Sequence, residues 1–482
     1  MRNGARFVLG TAVVAALAIP LVSVAAARDA GARAAPSFTR EVAPIVSEKC
    51  TGCHRVGGIA PFPLVTARQV SSKASLIGAV VGARLMPPWP PGPRSPAYAG
   101  EAERTLSARQ RATIVAWAKA GGKIDGPARP SRSAPGPEIR DGETLFDLRM
   151  PAAYRPAAAK DVTDDYRCFL LDPKLTSDAS VTSVRIEPGR PSVVHHVILF
   201  RVAPSQVAAA QRLDDAGSGP GWSCFGGTGL PAGEGTPFES LTNASWISAW
   251  APGWGGGRLP KGTGVPLQAG SRVVMQVHYN LLNGRQPDRS RALLTVAPAS
   301  AGLRPLQTML LPGPVELACA RAEKARLCDR NEALLELSRK YGSQAALLPA
   351  GLLFLCRGNA GTPRPSAVST CDRTITSPTT IHVVAGHMHL LGASIRLELN
   401  PGTPRARVLL DIPRWDFHWQ NGYALLEPVR AQSGDVVRVT CRHDVHKRLR
   451  GEHGMPRAPR YVLWGEGTTD EMCLGILQVT RP

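Results

Sequence analysis

Beyond its first 27 residues, this 482-residue chain has no apolar run long enough to cross a bilayer, so no later segment is expected to span one. Runs of five Lys or Arg are also missing. The net charge of +20 therefore comes from scattered Arg, and without a basic patch or a recognition motif nucleic acid is not an expected partner. An acidic partner or an anionic membrane surface stays open. A disordered chain is excluded by 43% hydrophobic against 20% charged residues, and the length allows about three domains. Methionine is scarce, with eight in all, so a Met in a motif can be weighed by elimination.

The start of the chain reads as an export signal. Arg2 and Arg6 precede an apolar stretch from Phe7 to Ala27 that closes on Ala25-Ala26-Ala27. The stretch is long enough to serve as an uncleaved anchor, but Pro20 and the Ala-rich end favour cleavage. A signal over 1–27 places the protein in the periplasm or outside the cell, where disulfides persist. Of ten cysteines, two fall in the motif described next. The other eight are Cys168, Cys224, Cys319, Cys328, Cys356, Cys371, Cys441 and Cys473.

Cys50-Thr51-Gly52-Cys53-His54 has the spacing of a c-type haem attachment site, with two thioether links and an axial imidazole. Between the signal and residue 149 the only Met is Met86, in the Pro-stiffened Leu85-Met86-Pro87-Pro88-Trp89 loop, which makes it the expected sixth ligand. A Met/His pair raises the potential and suits electron transfer. An amphipathic helix is expected over Phe38 to Lys49. A closing helix is expected after Ser107 as N-cap, with Gly121-Gly122 as its stop. Residues 36–125 thus resemble a small, all-α class I cytochrome c holding one covalently bound haem c. The Pro/Ser/Gly-rich stretch within 126–139 reads as a linker.

From residue 140 short apolar or alternating runs are separated by Pro/Gly turns. They include Val181–Ile186, Val193–Val202, Val273–His278, Ala292–Val296, Arg407–Leu410 and Val436–Cys441. This spacing predicts all-β sandwiches. The exception is a helical, Cys-bracketed insertion at about 316–371, carried by Leu334, Leu335, Leu337 and Tyr341.

Histidines lie in three of the strand-like runs. His387 and His389, in Gly386-His-Met-His-Leu-Leu-Gly, are spaced to share one strand face and to pinch copper or zinc. His195 and His196 are adjacent, so they can share a metal only at a strand end or bulge. His278 lies in Gln276-Val-His-Tyr. The remaining His382, His418, His443, His446 and His453 are expected to serve surface or supporting roles, with His418 notable for its Trp-rich loop.

Taken in order, His-His, Gln-Val-His-Tyr, His-x-His-Leu-x-Gly and Asp470-Glu-Met-Cys resemble the copper type II, ascorbate-dependent monooxygenases, the family of peptidylglycine α-hydroxylating and dopamine β-monooxygenases. The likeness extends to Ala249-Trp-Ala-Pro, Arg258-Leu-Pro-Lys-Gly and Pro413-Arg-Trp-Asp-Phe-His-Trp-Gln, and covers roughly residues 160 to 482. It implies two jelly-roll-like sandwiches, 140–300 and 301–482, with two separated copper ions. His195, His196 and His278 would hold the electron-storing copper. His387, His389 and Met472 would hold the catalytic copper that meets O2 and substrate. It also implies a Cys441–Cys473 disulfide. Cys168 with Cys224 is a guess, and Cys319, Cys328, Cys356 and Cys371 allow three pairings.

The family hydroxylates an unactivated C–H bond with O2 and two electrons. The expected donor here is the fused haem, a tethered carrier that need only visit, itself reduced by an external one-electron donor or an ascorbate-like reductant. Peptide-amidating members hold the peptide carboxylate with an Arg, an Asn and a Tyr where this chain has Ala385, Leu474 and Ile476. A small organic substrate without a peptide carboxylate, apolar or aromatic, is therefore expected. The competing expectation is a non-catalytic copper and haem protein that carries electrons or stores metal.

Overall fold

A computed structural model describes residues 35–56, 58, 60–127, 138–158, 162–231, 243–252, 256–358, 362–452, 455 and 457–482. The expected signal over 1–27, most of the expected linker and His453 lie outside the described residues. Among those described, no helix is long and apolar enough to cross a membrane.

The N-terminal part is helical. Its first helix opens with a π turn, Phe38–Val42, capped by the Ser37 hydroxyl, and continues as Ala43–Lys49. The Ala108–Lys119 helix starts at a capping box, in which Ser107 and Gln110 satisfy each other's backbone N–H groups. It crosses the Ala74–Gly82 helix so closely that a Cβ at Gly78 would lie 2.6 Å from that of Ala118. Phe38, Val42, Val46, Ile77, Val81, Ile114 and Trp117 form the core between these helices.

Residues 140 to 480 are mostly β. The first sandwich pairs Thr144–Arg149, Arg291–Pro298, Ala179–Glu187 and Thr263–Leu267 in one sheet. Its second sheet orders Trp222–Ser223, Asp164–Leu171, Arg272–Asn280, Val194–Val202 and Trp246–Trp250. Met275, Val277 and Tyr279 point into the core between the sheets, which turns His278 to the outer face by strand alternation.

The second sandwich packs Gly422–Ala431, Thr379–His387, Cys473–Thr480 and Gln307–Gly313 over Val368–Thr374, Val436–His443, Gly392–Leu399 and Arg407–Ile412. Asn243–Ala244, from the 140–300 stretch, adds to its edge, so the sheets do not divide cleanly at residue 300. Gly386 and Gly475 face inward against Ile395 and Leu397, where a Cβ would come within 2.8 and 2.5 Å respectively. His387 and Ala385, paired with Leu474 and Ile476, therefore lie on the outer face.

The helical insertion is present as Arg330–Tyr341, capped by Asp329, and Ser343–Arg357. Disulfides join Cys168 to Cys224, Cys441 to Cys473, Cys319 to Cys328 and Cys356 to Cys371. Four disulfides fit an oxidising compartment.

One expectation is corrected. The helical unit is not a visitor on a tether, because residues 92–99 run along the second sandwich and bond to it. Gly92 N–H donates to Asp411 O (2.7 Å), Ala99 N–H to Ala424 O (2.9 Å), and Leu426 N–H to Ala97 O (3.1 Å). Arg94 pairs with Asp411 at 3.0 Å, and the buried Tyr98 hydroxyl donates to Leu409 O at 2.8 Å. Sequence periodicity carries no trace of this seam, since it is made by irregular chain pairing with distant strands.

Candidate metal centre

The adjacent histidines reach one point through a bulge. Along the strand pair, His278 faces His196 and Tyr279 faces Val194, which leaves His195 as the extra residue. The Nδ1 atoms of His195 and His278 lie 3.2 Å apart, and those of His278 and His196 3.4 Å. Asp164 Oδ1, which can only accept, takes the Nε2–H of His278 at 2.7 Å, so the Nδ1 of a neutral His278 is a bare lone pair aimed at its neighbours. Burial, followed by the neighbouring histidines, holds His195 and His196 well below the ordinary imidazole range. Three ring nitrogens converging in a largely buried pocket form a donor set suited to a cation.

His387 closes its strand, and His389 falls just beyond it in the turn, rather than both lying within one strand. Their rings still stand 5.1 Å apart, centroid to centroid. The turn is clamped by Glu471, whose carboxylate accepts the N–H groups of His389 (2.6 Å) and Leu391 (3.1 Å). His387 Nδ1–H donates to Gln420 Oε1 at 2.5 Å, and Gln420 Nε2 in turn donates to Phe417 O, which fixes the amide orientation. His389 Nδ1–H donates to Asp470 O at 3.2 Å. Both rings therefore keep a bare Nε2. Burial pushes His387 down to about 4 and His389 well below its usual value. Met472 is buried beside this turn, within the second sandwich's core cluster.

The two donor sets face each other. The His196 and His387 rings meet edge to face with centroids 6.1 Å apart, and Phe417 of the second sandwich stacks on His195 at 4.5 Å. The loop before Met472 touches both sets. Thr468 donates to Asp164, Asp470 accepts from His389, and the Glu466 carbonyl accepts from Tyr166, whose ring stacks on His278 at 4.1 Å. Burial first, then like charge from Asp164 and Tyr341 among others, raises the Tyr166 hydroxyl well above its usual value. Asp164 is also buried, which raises it, but the hydrogen bonds from His278 and Thr468 outweigh burial and leave it below the usual carboxylate range.

In the helical unit His54 Nδ1–H donates to Phe62 O at 3.0 Å, again leaving Nε2 bare. Cys50 and Cys53 are the free cysteines. Burial raises the Cys50 thiol to about 12 and raises Cys53 as well. Met86 is exposed.

Sequence reasoning missed Asp164, Gln420 and Phe417. Asp164 belongs to an Asp-Asp pair at a strand start, a signal too common to select. Gln420 and Phe417 lie in the Trp-rich loop where His418 drew notice, yet His418 is exposed. His382 is buried and bonds Thr480, and His443 is buried near Met472.

No family model and no curated protein matches the chain. Among solved structures, the major capsid protein P2 of bacteriophage PM2 aligns at 9% identity over 70% of this chain and 97% of its own, with a TM-score of 0.23. An allantoicase aligns at 10% identity over 60% and 77%, with a TM-score of 0.14, and the coconut allergen cocosin at 10% over 70% and 85%, with the same score. Overlaps this slight carry no argument about fold or function.

Proposed function

We propose that this chain is an exported copper-dependent monooxygenase that hydroxylates a C–H bond of a small organic substrate, with electrons arriving through its own c-type haem. The observation that carries the reading is the pair of facing donor sets, in which Asp164, Gln420 and the Asp470 carbonyl take the outer N–H groups of His278, His387 and His389. That is the pattern of oriented metal ligands. His195, His196 and His278 would hold one copper through Nδ1, and His387, His389 and Met472 a second through Nε2 and sulfur. A thioether favours Cu(I) and three imidazoles suit a copper that cycles charge, so the donor chemistry fits the metal. Haem c fits its site equally: two unpaired cysteines in a chain whose other eight are bridged, and an imidazole oriented by Phe62.

Copper, when bound, supplies the one-electron chemistry by which O2, a substrate C–H bond, two electrons and two protons become an alcohol and water. The chain's residues orient and shield. Asp164 and Gln420 lock two of the ligand rings, and Glu471 holds the turn that carries His389. Ala385, Leu474 and Ile476 surround His387 on the outer face, an apolar wall that would desolvate an apolar substrate and leave a carboxylate unpaired. The test is oxygen uptake by the copper-loaded, reduced protein with a panel of small aromatic and aliphatic compounds. Uptake should rise with substrate, and label from 18O2 should enter the product. Full copper and haem loading with no substrate-dependent uptake across the panel would make the protein an electron carrier or copper store instead.

A further inference from the structure

Where the helical unit meets both sandwiches there is a cleft of about 180 Å³, and all three units build it. Trp89 and Arg104 come from the helical unit. The stretch between them, residues 92–99, bonds along the Gly422–Ala431 edge strand of the second sandwich, which anchors this wall. The floor is the outer face of that sandwich, where Val383 pairs with Ala424 on one side and Gln478 on the other. The far wall belongs to the first sandwich, through Ser248 and Arg258.

The lining carries an unbalanced charge. It holds two guanidinium groups and, among the described residues, no carboxylate. Arg258 is already neutralised, because two of its nitrogens donate to the Glu143 carboxylate at 2.9 and 2.5 Å. Arg104 is not, since no ion pair or hydrogen bond engages its side chain among the described residues. Ser248 and Gln478 are 6% and 7% exposed, yet neither side chain has a hydrogen-bond partner among the described residues. Each unit thus brings one unengaged donor to the same cleft, and buried donors are normally paired.

We infer that this cleft is a binding site for a small organic anion about the size of a substituted benzene ring, held by Arg104, Ser248 and Gln478. A cavity of about 150 Å³ admits benzene, so this one has room for a ring that carries a carboxylate. The carboxylate accepts from the three donors, and Trp89 and Val383 supply apolar surface for the ring. The site is separate from the metal donors. Val383 precedes His387 by four residues on the same strand face, which is about 13 Å of strand. The inference therefore goes beyond the function proposed above and does not rest on it.

Calorimetric titration of the full-length protein with benzoate, and with nitrobenzene as its uncharged isostere, tests the site. Benzoate should bind at one per chain, and nitrobenzene more weakly by about tenfold or more. Arg104→Gln should weaken benzoate by about ten- to hundredfold, the range for a hydrogen bond to a charged group, and leave nitrobenzene unchanged. Ala424→Phe should fill the cleft and abolish binding of both probes, with an unfolding midpoint like that of the wild type. Should Ala424→Phe fail to fold, Arg104→Gln decides, since its side chain is not part of a core. Three results would each overturn the site: no saturable benzoate binding, equal affinity for the two probes, or benzoate affinity untouched by Arg104→Gln or by a folded Ala424→Phe. None of these readouts depends on copper or haem, so the proposed function stands or falls separately.

Discussion

His196 and His387 belong to different sandwiches, yet their rings stand edge to face 6.1 Å apart. His196 borders His278, and His387 borders His389. The two centres are therefore neighbours across a domain seam.

Copper should bind at two per chain, and the closeness should be visible. Cu(II) resonances of the fully loaded protein should be broadened relative to the sum of the spectra of His278→Ala and Met472→Ile, each of which should retain the other copper. Loss of both ions from either substitution, measured by metal analysis after dialysis, would contradict two distinct sites.

Asp164→Asn should weaken the three-histidine cluster selectively. The neutral amide oxygen can accept only weaker bonds from the His278 Nε2–H and the Thr468 hydroxyl than a carboxylate does, which loosens the tie between the Met472 loop and the first sandwich. Loss of such an orienting partner typically costs 10–100-fold in metal affinity, so competition titration should show about that decrease at one site only.

Arg448 and Glu323 form a buried ion pair at 2.6 Å that ties the His446–Arg450 helix to the base of the helical insertion. Arg448→Met strands a buried carboxylate and should destabilise the protein by about 3–5 kcal/mol in chemical denaturation. Adding Glu323→Gln should recover much of that loss. If the double variant is as unstable as the single one, packing and not the stranded charge is the cause.

Acid should destabilise the copper-free protein, in part through His443. Burial holds this imidazole at about 4 against an ordinary 6.5. Above pH 6.5 both folded and unfolded forms leave it neutral and its stability contribution is intact. As pH falls from 6.5 toward 4 the unfolded chain takes up the proton first, and stability drops by as much as about 3 kcal/mol. His443→Gln should flatten the fall of the unfolding midpoint across that window. An unchanged slope would mean that the other buried histidines account for all of it.

The sequence alone determined the β character of residues 140 to 480, the helical N-terminal part and its Ser107 cap, the Cys-bracketed insertion, and the residue types able to hold metal. These follow from local causes, namely side-chain alternation, capping and cysteine spacing. It also required a bulge or strand end if His195 and His196 were to point together, and a bulge at His195 is present. Tertiary structure alone decided which residues became neighbours. It chose one of three pairings for Cys319, Cys328, Cys356 and Cys371, joining 319 to 328 and 356 to 371. It brought Asp164 to His278 across 114 positions and Gln420 to His387, and it fixed the helical unit on the second sandwich through residues 92–99. The facing of the two histidine sets belongs to the same class. It arises because the outer faces of two sheets pack together, and periodicity reveals which side chains share a face but not what that face meets.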